Sequence, residues 1–297
     1  MSLIAPDLRR CWLFGPGADP AAHEALLATA AEVLIVDLED FTPAPLRPRA
    51  RAGLAALLER CRLAGKLGAV RINALDADGP TDLAAAMAAG ADIIAYPMAE
   101  RAGDIHALDL AITHWESAAG RVPGTTEILP VCETAQGVLE VRAMAAASRR
   151  VRAALLGAED LAADLCAERS PEALELEQAR RHFLLLCRAA GIEPVDAPHT
   201  FGDVEGARRE TVHARRLGYR CKSLVRPEHV QAVRDVLTPT ADEVLRAGAM
   251  VEAFEAARAQ GLDRALVDGL WVEVPTWRHA LRLLERARRL QGQDSAP

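Results

Sequence analysis

Two short stretches decide the fold: Ile128–Gly137, read ILPVCETAQG, and Ala154–Asp164, read ALLGAEDLAAD. Each is an apolar run that stops at carboxylates, Glu133 in the first and Glu159 with Asp160 in the second. A continuous apolar run with a polar break at its end reads as a strand covered on both faces. If the two strands are parallel neighbours, their ends lie side by side at one rim of a sheet. Two carboxylates meeting there suit a hard divalent cation.

The same pattern recurs in both directions. Cys11–Phe14 ends at Gly15-Pro16-Gly17, and Val33–Leu38 runs into Glu39 and Asp40. Ala69–Ile72 carries Arg71 and stops at Asn73; Asp92–Tyr96 stops at Pro97. Beyond the opening pair, Glu193–Val195 leads to Asp196-Ala197-Pro198-His199, and Cys221–Val225 leads to Arg226-Pro227. Helices are expected between them: Pro20–Ala31, an amphipathic stretch to about Ala64 after a break at Pro43, Pro45 and Pro48, Asp82–Ala89, Ile105–Ala118, Val138–Ser148, Pro171–Ala190 and Asp203–Leu217. Eight strands alternating with helices predict an α/β fold, a (β/α)8 TIM barrel, over residues 1–238. An open doubly wound sheet is the alternative; no GxGxxG follows the first strand to favour it.

After Thr238 the period changes. Thr240–Gly261 reads as one long helix, Ala265–Val274 as a hairpin turning near Asp268-Gly269, and Pro275–Arg289 as a last helix. Residues 239–297 are therefore expected to form a C-terminal helical and hairpin extension.

Composition narrows the function classes. Of 297 residues, 51% are hydrophobic, enough for a large core. A net charge of −7 and an aromatic content of 4% argue against a nucleic-acid partner. The basic clusters Arg149–Arg152 and Arg286–Arg289 read as solvated helix ends. The six cysteines form no CxxC pair and predict neither a disulfide framework nor a zinc site. MSLIAPDLRR lacks a signal-peptide core, and no apolar run is long enough for a membrane span, so a cytoplasmic protein without membrane partners is expected.

In a barrel, chemistry sits where the strands end. Glu133 and Asp160 are the candidate metal ligands. An oxygen-only set favours Mg2+, with Mn2+ next. Arg71 interrupts an apolar run, and a buried arginine requires an anion. That anion is either Glu39 or Asp40, or the carboxylate of a substrate held by a two-pronged contact. Glu39 and Asp40 are candidate catalytic groups: a cluster of like charges either raises one pKa or orients metal-bound water. Gly15-Pro16-Gly17 is either only a tight turn or one that lets a ligand approach the backbone at Gly15 and Pro16.

At these residues the chain resembles the citrate lyase β-subunit-like group of the HpcH/HpaI aldolase family. The matching pieces include WLFGPG (12–17), IVDLED (35–40), VRIN (70–73), GADIIAYP (90–97), LPVCETAQGV (129–138), LLGAEDLAADL (155–165) and VDGLWVEVP (267–275). The resemblance implies a (β/α)8 barrel assembled as a homo-oligomer, commonly a trimer. It implies Mg2+-dependent cleavage or formation of a carbon–carbon bond in 3-hydroxyacyl-CoA thioesters such as citramalyl-CoA, malyl-CoA or citryl derivatives, with the CoA thioester as substrate rather than resident cofactor. Glu133 and Asp160 would hold Mg2+. Arg71 would bind the carboxylate of the oxo acid, beside Glu133. An acidic tail residue, here Glu273, would reach the active site of an adjacent subunit. Three positions depart from the family pattern: Glu273 stands for aspartate, Val225-Arg226-Pro227 for Ile-His-Pro, and Met98 for a lysine. These departures keep two further readings open: a CoA-independent aldolase or oxo-acid decarboxylase, and a non-catalytic protein that binds metal or oxo acid.

Overall fold

The computed structural model describes residues 3–294. Eight parallel strands close a barrel in sequence order: β1 (Cys11–Pro16), β2 (Val33–Asp37), β3 (Leu67–Arg71), β4 (Ile93–Tyr96), β5 (Glu127–Cys132), β6 (Ala153–Leu156), β7 (Glu193–Asp196) and β8 (Cys221–Leu224). The helices between them are α1 (Pro20–Leu27), α2 (Arg47–Leu63), α3 (Gly79–Ala88), α4 (Ala102–Ala118), α5 (Ala135–Ala147), α6 (Glu159–Asp164), α7 (Glu177–Ala190), α8 (Val204–Leu217) and α9 (Val230–Leu237). The expected barrel is therefore present, and the open sheet is excluded by the pairing of β1 with β8.

Two apolar clusters explain why every strand reads as a continuous apolar run. Trp12, Phe14, Val33, Ile35, Leu67, Ala69, Ile93, Ala95, Leu129, Val131, Ala153, Leu155, Val195 and Cys221 fill the barrel interior. Their alternate neighbours, such as Leu13, Leu34, Val36, Val70, Ile94 and Ala154, pack under the helices. Strands buried on both faces lose the polar half of the usual alternation. The end opposite the candidate site is closed by buried ion pairs. Arg9 grips Glu127 at 2.6 and 2.8 Å, and Arg10 meets Glu32 at 2.8 Å.

Several local expectations are corrected. The stretch Pro171–Ala190 is helical only from Glu177, after a short 3-10 turn at Leu174–Leu176. Ser170 Oγ donates to Glu175 Oε2 at 2.7 Å and folds the preceding segment into a loop instead. Pro48 lies in the first turn of α2, where its missing N–H leaves no bond unmade, rather than breaking the chain. Helices α6 and α9 are additions to the pattern the sequence predicts. Asp160 follows the end of β6, as expected, and lies in the first turn of α6, which begins at Glu159. Arg150 is not a solvated helix end. It is buried and donates to Glu116 Oε2 at 2.7 Å and to Asp109 Oδ1 at 2.5 Å.

The chain divides into two compact units, one ending at Leu237 and one starting at Thr238. The second contains α10 (Ala241–Ala259), a hairpin of β9 (Ala265–Val267) and β10 (Leu270–Val272), and α11 (Val274–Asp294). Thr240 and Glu243 form a capping box at the start of α10. Asp268 and Gly269 both take positive φ, +49° and +77°, as a two-residue hairpin turn requires. Phe254 of α10 packs against Trp277 of α11 with ring centroids 5.5 Å apart. No described helix is long and apolar enough to cross a membrane.

Candidate active site

The inward parity of the strands places the site. Residues 33 and 35, 67 and 69, 129 and 131, and 153 and 155 face the barrel axis. The next inward positions are Asp37, Arg71, Glu133 and Gly157. Asp37 is the register partner of Arg71. The period of two that builds the apolar interior thus stacks a charged layer on top of it, at the C-terminal rim where barrel enzymes carry their chemistry.

Arg71 is the centre of this layer. Its Nε donates to Asp37 Oδ1 at 2.9 Å and its Nη2 to Asp37 Oδ2 at 2.5 Å. Its outer edge faces Glu39 (Nη1 to Oε2, 2.9 Å), Asp40 (Nη2 to Oδ2, 3.3 Å) and Glu133 (Nη1 to Oε1, 3.7 Å). The Arg71 Cζ lies over the rings of Phe14 and Phe41, 5.2 and 5.8 Å from their centroids. Both anticipated partners, Glu39 and Asp40, are in place. The strongest partner, Asp37, was not singled out. Asp37 also accepts from the backbone N–H of Glu39 at 2.8 Å and of Phe41 at 3.1 Å, so one buried carboxylate folds the loop and aims the arginine.

Glu133 and Asp160 are brought to the same rim. Glu133 is buried, and its Oε2 accepts from the N–H of Met98 at 3.0 Å. Met98 has φ +45°, a left-handed conformation. Burial pushes the Glu133 carboxyl up to about 7; Arg71 and the Met98 N–H pull it down, and the charges of Asp160 and Asp40 push it further up. Glu39 is pushed up to about 8, first by burial, against the pull of Arg71 and with the help of Asp40, Glu133 and Asp37. Glu39 Oε2 is buried and makes no hydrogen bond of good geometry.

Such a rim fits a divalent cation, which would relieve the repulsion between Glu133 and Asp160. Among the described residues no group of three or more histidine, cysteine or acidic side chains forms a closed ligand set. The protein would therefore supply two carboxylates, and water and substrate oxygens the rest, as Mg2+ commonly accepts.

Not every polar strand end joins. Asp196 has outward parity and lies between barrel and helices, bonded to Arg180 Nε at 2.9 Å and to Lys222 Nζ at 2.7 Å. His199 bridges Glu210 at 2.9 Å and Asp203 at 3.1 Å. Asn73 donates to Asp82 and to the Leu38 carbonyl. Glu159 pairs with Arg169 at 3.0 Å. Arg226 faces Glu228 at 3.5 Å. The polar groups of the first turn are engaged internally. The Pro16 carbonyl lies 2.8 Å from His23 Nε2, and the Gly17 N–H donates to Thr42 Oγ1 at 2.8 Å. A Cβ on Gly15 would meet Leu26 Cδ1 at 2.1 Å, so close packing against α1 also favours glycine there. Glu273 is exposed in the second unit, and its carbonyl accepts from Trp277 N–H at 2.9 Å as α11 begins.

Comparison with known proteins places these features in context. The model of the family described as HpcH/HpaI aldolase/citrate lyase matches residues 10–227. Citrate lyase subunit beta of Escherichia coli (strain K12) is 35% identical over 281 residues, covering 94% of this chain and 93% of its own length. The L-malyl-CoA/beta-methylmalyl-CoA lyase of Cereibacter sphaeroides (strain ATCC 17025 / ATH 2.4.3) is 31% identical over 306 residues, covering 95% and 96% of the two chains. Among solved structures, protein CitE from Mycobacterium tuberculosis, in complex with magnesium, acetoacetate and coenzyme A, aligns with TM-score 0.73 and 28% identity, covering 94% of this chain and 98% of that one.

Proposed function

This chain belongs to the HpcH/HpaI aldolase/citrate lyase family, and from that premise we propose that it is a Mg2+-dependent carbon–carbon lyase that cleaves or forms a 3-hydroxyacyl-CoA such as citramalyl-CoA, malyl-CoA or a citryl thioester, giving an oxo acid and an acyl-CoA. The observation that carries the reading is the meeting of Arg71 and Glu133 at 3.7 Å on one rim. An anion-binding group and a metal-binding carboxylate stand there within reach of one small ligand.

Each residue has a role in this reading. Arg71, fixed by Asp37, holds the carboxylate that becomes part of the oxo acid. Glu133 and Asp160 hold Mg2+, which when bound supplies Lewis-acid polarisation of the hydroxyl that becomes the carbonyl. Glu39 and Asp40 handle the hydroxyl proton, which must leave as the carbon–carbon bond breaks. The electron pair of that bond passes to the thioester enolate, and Glu273 from an adjacent subunit protonates the enolate carbon. The barrel of residues 1–238 is the catalytic domain and residues 239–297 complete a neighbour's site, in a homo-oligomer, a trimer by resemblance. The six cysteines are free thiols, which suits a reducing cytoplasm.

The direct test is calorimetric titration of the metal-free protein with Mg2+, with and without glyoxylate, pyruvate or oxaloacetate, followed by turnover of the matching acyl-CoA. Oxo-acid binding that requires Mg2+ is expected, and Glu133→Ala and Asp160→Ala are each expected to abolish metal-dependent turnover in a folded protein. Normal turnover in either variant would sink the assignment. The shared site is tested by mixing: inactive Glu273→Ala and inactive Glu133→Ala chains should regain part of the activity when co-assembled.

Met98, 46% exposed, and Arg226 beside Glu228 favour one second reading, a lyase acting on free hydroxy acids. Equal turnover of the free acid and its CoA ester would select it.

A further inference from the structure

We propose that His199 is a positioning residue for the rim: in its doubly protonated form it latches the loop between β7 and α8, and with it the turn that carries Asp160, so that metal binding weakens when this one imidazole gives up a proton. The inference rests on the reading of Asp160 as a metal ligand and adds a control to it.

The latch is set by hydrogen-bond valence. The His199 ring is buried, with Nδ1 2.9 Å from Glu210 Oε2 and Nε2 3.1 Å from Asp203 Oδ1. Both partners are ionised carboxylates. Burial alone would raise the Glu210 carboxyl, but Lys222, His199 and Arg180 hold it far below the ordinary range. The bond from His199 lowers the Asp203 carboxyl, which also caps α8 by accepting from the Gly206 N–H at 2.7 Å. An ionised carboxylate only accepts, and a neutral imidazole has one N–H, so satisfying both partners takes the imidazolium. The bond to Glu210 raises the His199 pKa against the opposing effect of burial, and Asp203 raises it further.

The surrounding charges agree. Arg180 of α7 and Lys222 of β8 pair with Asp196 of β7 and Glu210 of α8. Two cations there face two carboxylates, which leaves Asp203 for the charge on His199; Arg209 approaches Asp203 only from solvent, at 3.6 Å. Against the same ring lies His229, also buried, with the centroids 5.7 Å apart. Neither nitrogen of His229 makes a hydrogen bond of good geometry. Burial and then the charge on His199 push the His229 pKa down, with Arg226 adding to this and Glu228 and the Gly202 backbone opposing it. The pair therefore carries one charge, on His199.

The loop connects that charge to the rim. Thr200, next in the chain, donates from Oγ1 to Glu159 Oε1 at 2.6 Å; Arg169 reaches the same oxygen at 3.0 Å and Thr200 Oγ1 at 3.2 Å. The Phe201 ring lies 5.6 Å from the His199 ring and 5.7 Å from Arg169 Cζ. Glu159 opens α6, and Asp160 is the next residue. When His199 loses a proton, either Glu210 or Asp203 faces a bare ring nitrogen, and the lone pairs repel. Glu210 is fixed from behind by Lys222 at 2.9 Å, whereas Asp203 is 53% exposed and turns to water, so the loop loosens on that side. The stabilisation is full below the ordinary histidine value and is lost as pH rises through the raised one.

The experiment has two arms on the full-length protein. Nitrogen NMR of the histidine rings should show both His199 nitrogens protonated at about pH 7 and His229 neutral. Calorimetric Mg2+ titration from about pH 6 to about pH 9.5 should show affinity rising as Glu133 ionises and then falling about tenfold, the scale for groups behind a metal ligand. His199→Gln, which holds one carboxylate at any pH, should start about tenfold weaker and lose the alkaline fall. Asp203→Asn keeps the helix cap without the charge and should move the fall to lower pH; it carries the test where His199→Gln does not fold. A neutral His199 in the first arm overturns the proposal, as does an alkaline fall that survives unchanged in the variants. Mg2+ binding with no alkaline fall overturns it too and leaves the lyase reading intact. Failure of Mg2+ to bind at any pH overturns both.

Discussion

Glu133 crosses directly over Gly157. A Cβ built at residue 157 would stand 2.5 Å from Glu133 Cγ and 3.4 Å from its Cα. The last inward position of the sixth strand is empty so that the carboxylate of the fifth can occupy it. Gly157→Ala should therefore push Glu133 off its position. We expect Mg2+ affinity to fall at least about tenfold, with an overpacking cost of about 1–3 kcal/mol in stability. Calorimetric titration and thermal melts of the same sample check both, and unchanged Mg2+ affinity would refute the crossing as a functional constraint.

Asp37 aims Arg71, so its charge should matter for the oxo acid and not for the metal alone. Asp37→Asn is expected to weaken oxo-acid binding about ten- to hundredfold, the scale of one or two hydrogen bonds to a charged group. Mg2+ affinity without oxo acid should change little. Equal losses in both affinities would mean that Asp37 only holds the fold.

The raised carboxyls give a signed pH dependence. Glu133 sits near 7 and Glu39 near 8 in the folded chain, above the ordinary glutamate value. The folded state then holds protons that the unfolded chain has released, so the stability from these groups is full at low pH and is lost as pH rises through about 7 to 8. Mg2+ needs the ionised form of Glu133, so its affinity should fall as pH drops below about 7. The gain in melting temperature on adding Mg2+ should be larger at about pH 8.5 than at about pH 6. A gain independent of pH would contradict the assignment.

Arg150 anchors the barrel far from the rim chemistry. It donates to Glu116 through two nitrogens and to the Thr126 carbonyl at 3.0 Å. Burial alone would raise the Glu116 carboxyl, but the Arg150 bonds and the N–H groups of Thr126 and Gly124 hold it near 2. Its stabilising effect is present above the ordinary glutamate value and is lost as pH falls towards 2. Arg150→Met leaves a buried carboxylate without its cation and should cost about 3–5 kcal/mol. Denaturant unfolding measures the loss, while Mg2+ affinity at moderate temperature serves as the control expected not to move.

Much of this was legible in the chain. The eight apolar runs and the Asp268-Gly269 turn announced the barrel and the hairpin, because double burial and positive φ leave marks on residue type. Glu133, Asp160 and Arg71 stood out for the same reason: a charge ending or interrupting an apolar run has few explanations. The helix starting at Glu159 was hidden because its six residues are too short for a period to show. Arg150 reads as solvated from sequence because an arginine beside other arginines looks exposed until its distant acidic partners are placed.

The sequence by itself determined the order of strands and helices, the core and the residue types at the rim, since all of these follow from local period and hydrophobicity. Only the tertiary structure decided which charges meet. Asp37 and Asp196 both end apolar strands, yet Asp37 faces the axis beside Arg71 while Asp196 faces Arg180 and Lys222 outside the wall. A strand sends alternate side chains to opposite faces, so a single residue of register separates a site residue from a structural ion pair. Register is fixed by pairing between strands far apart in the chain.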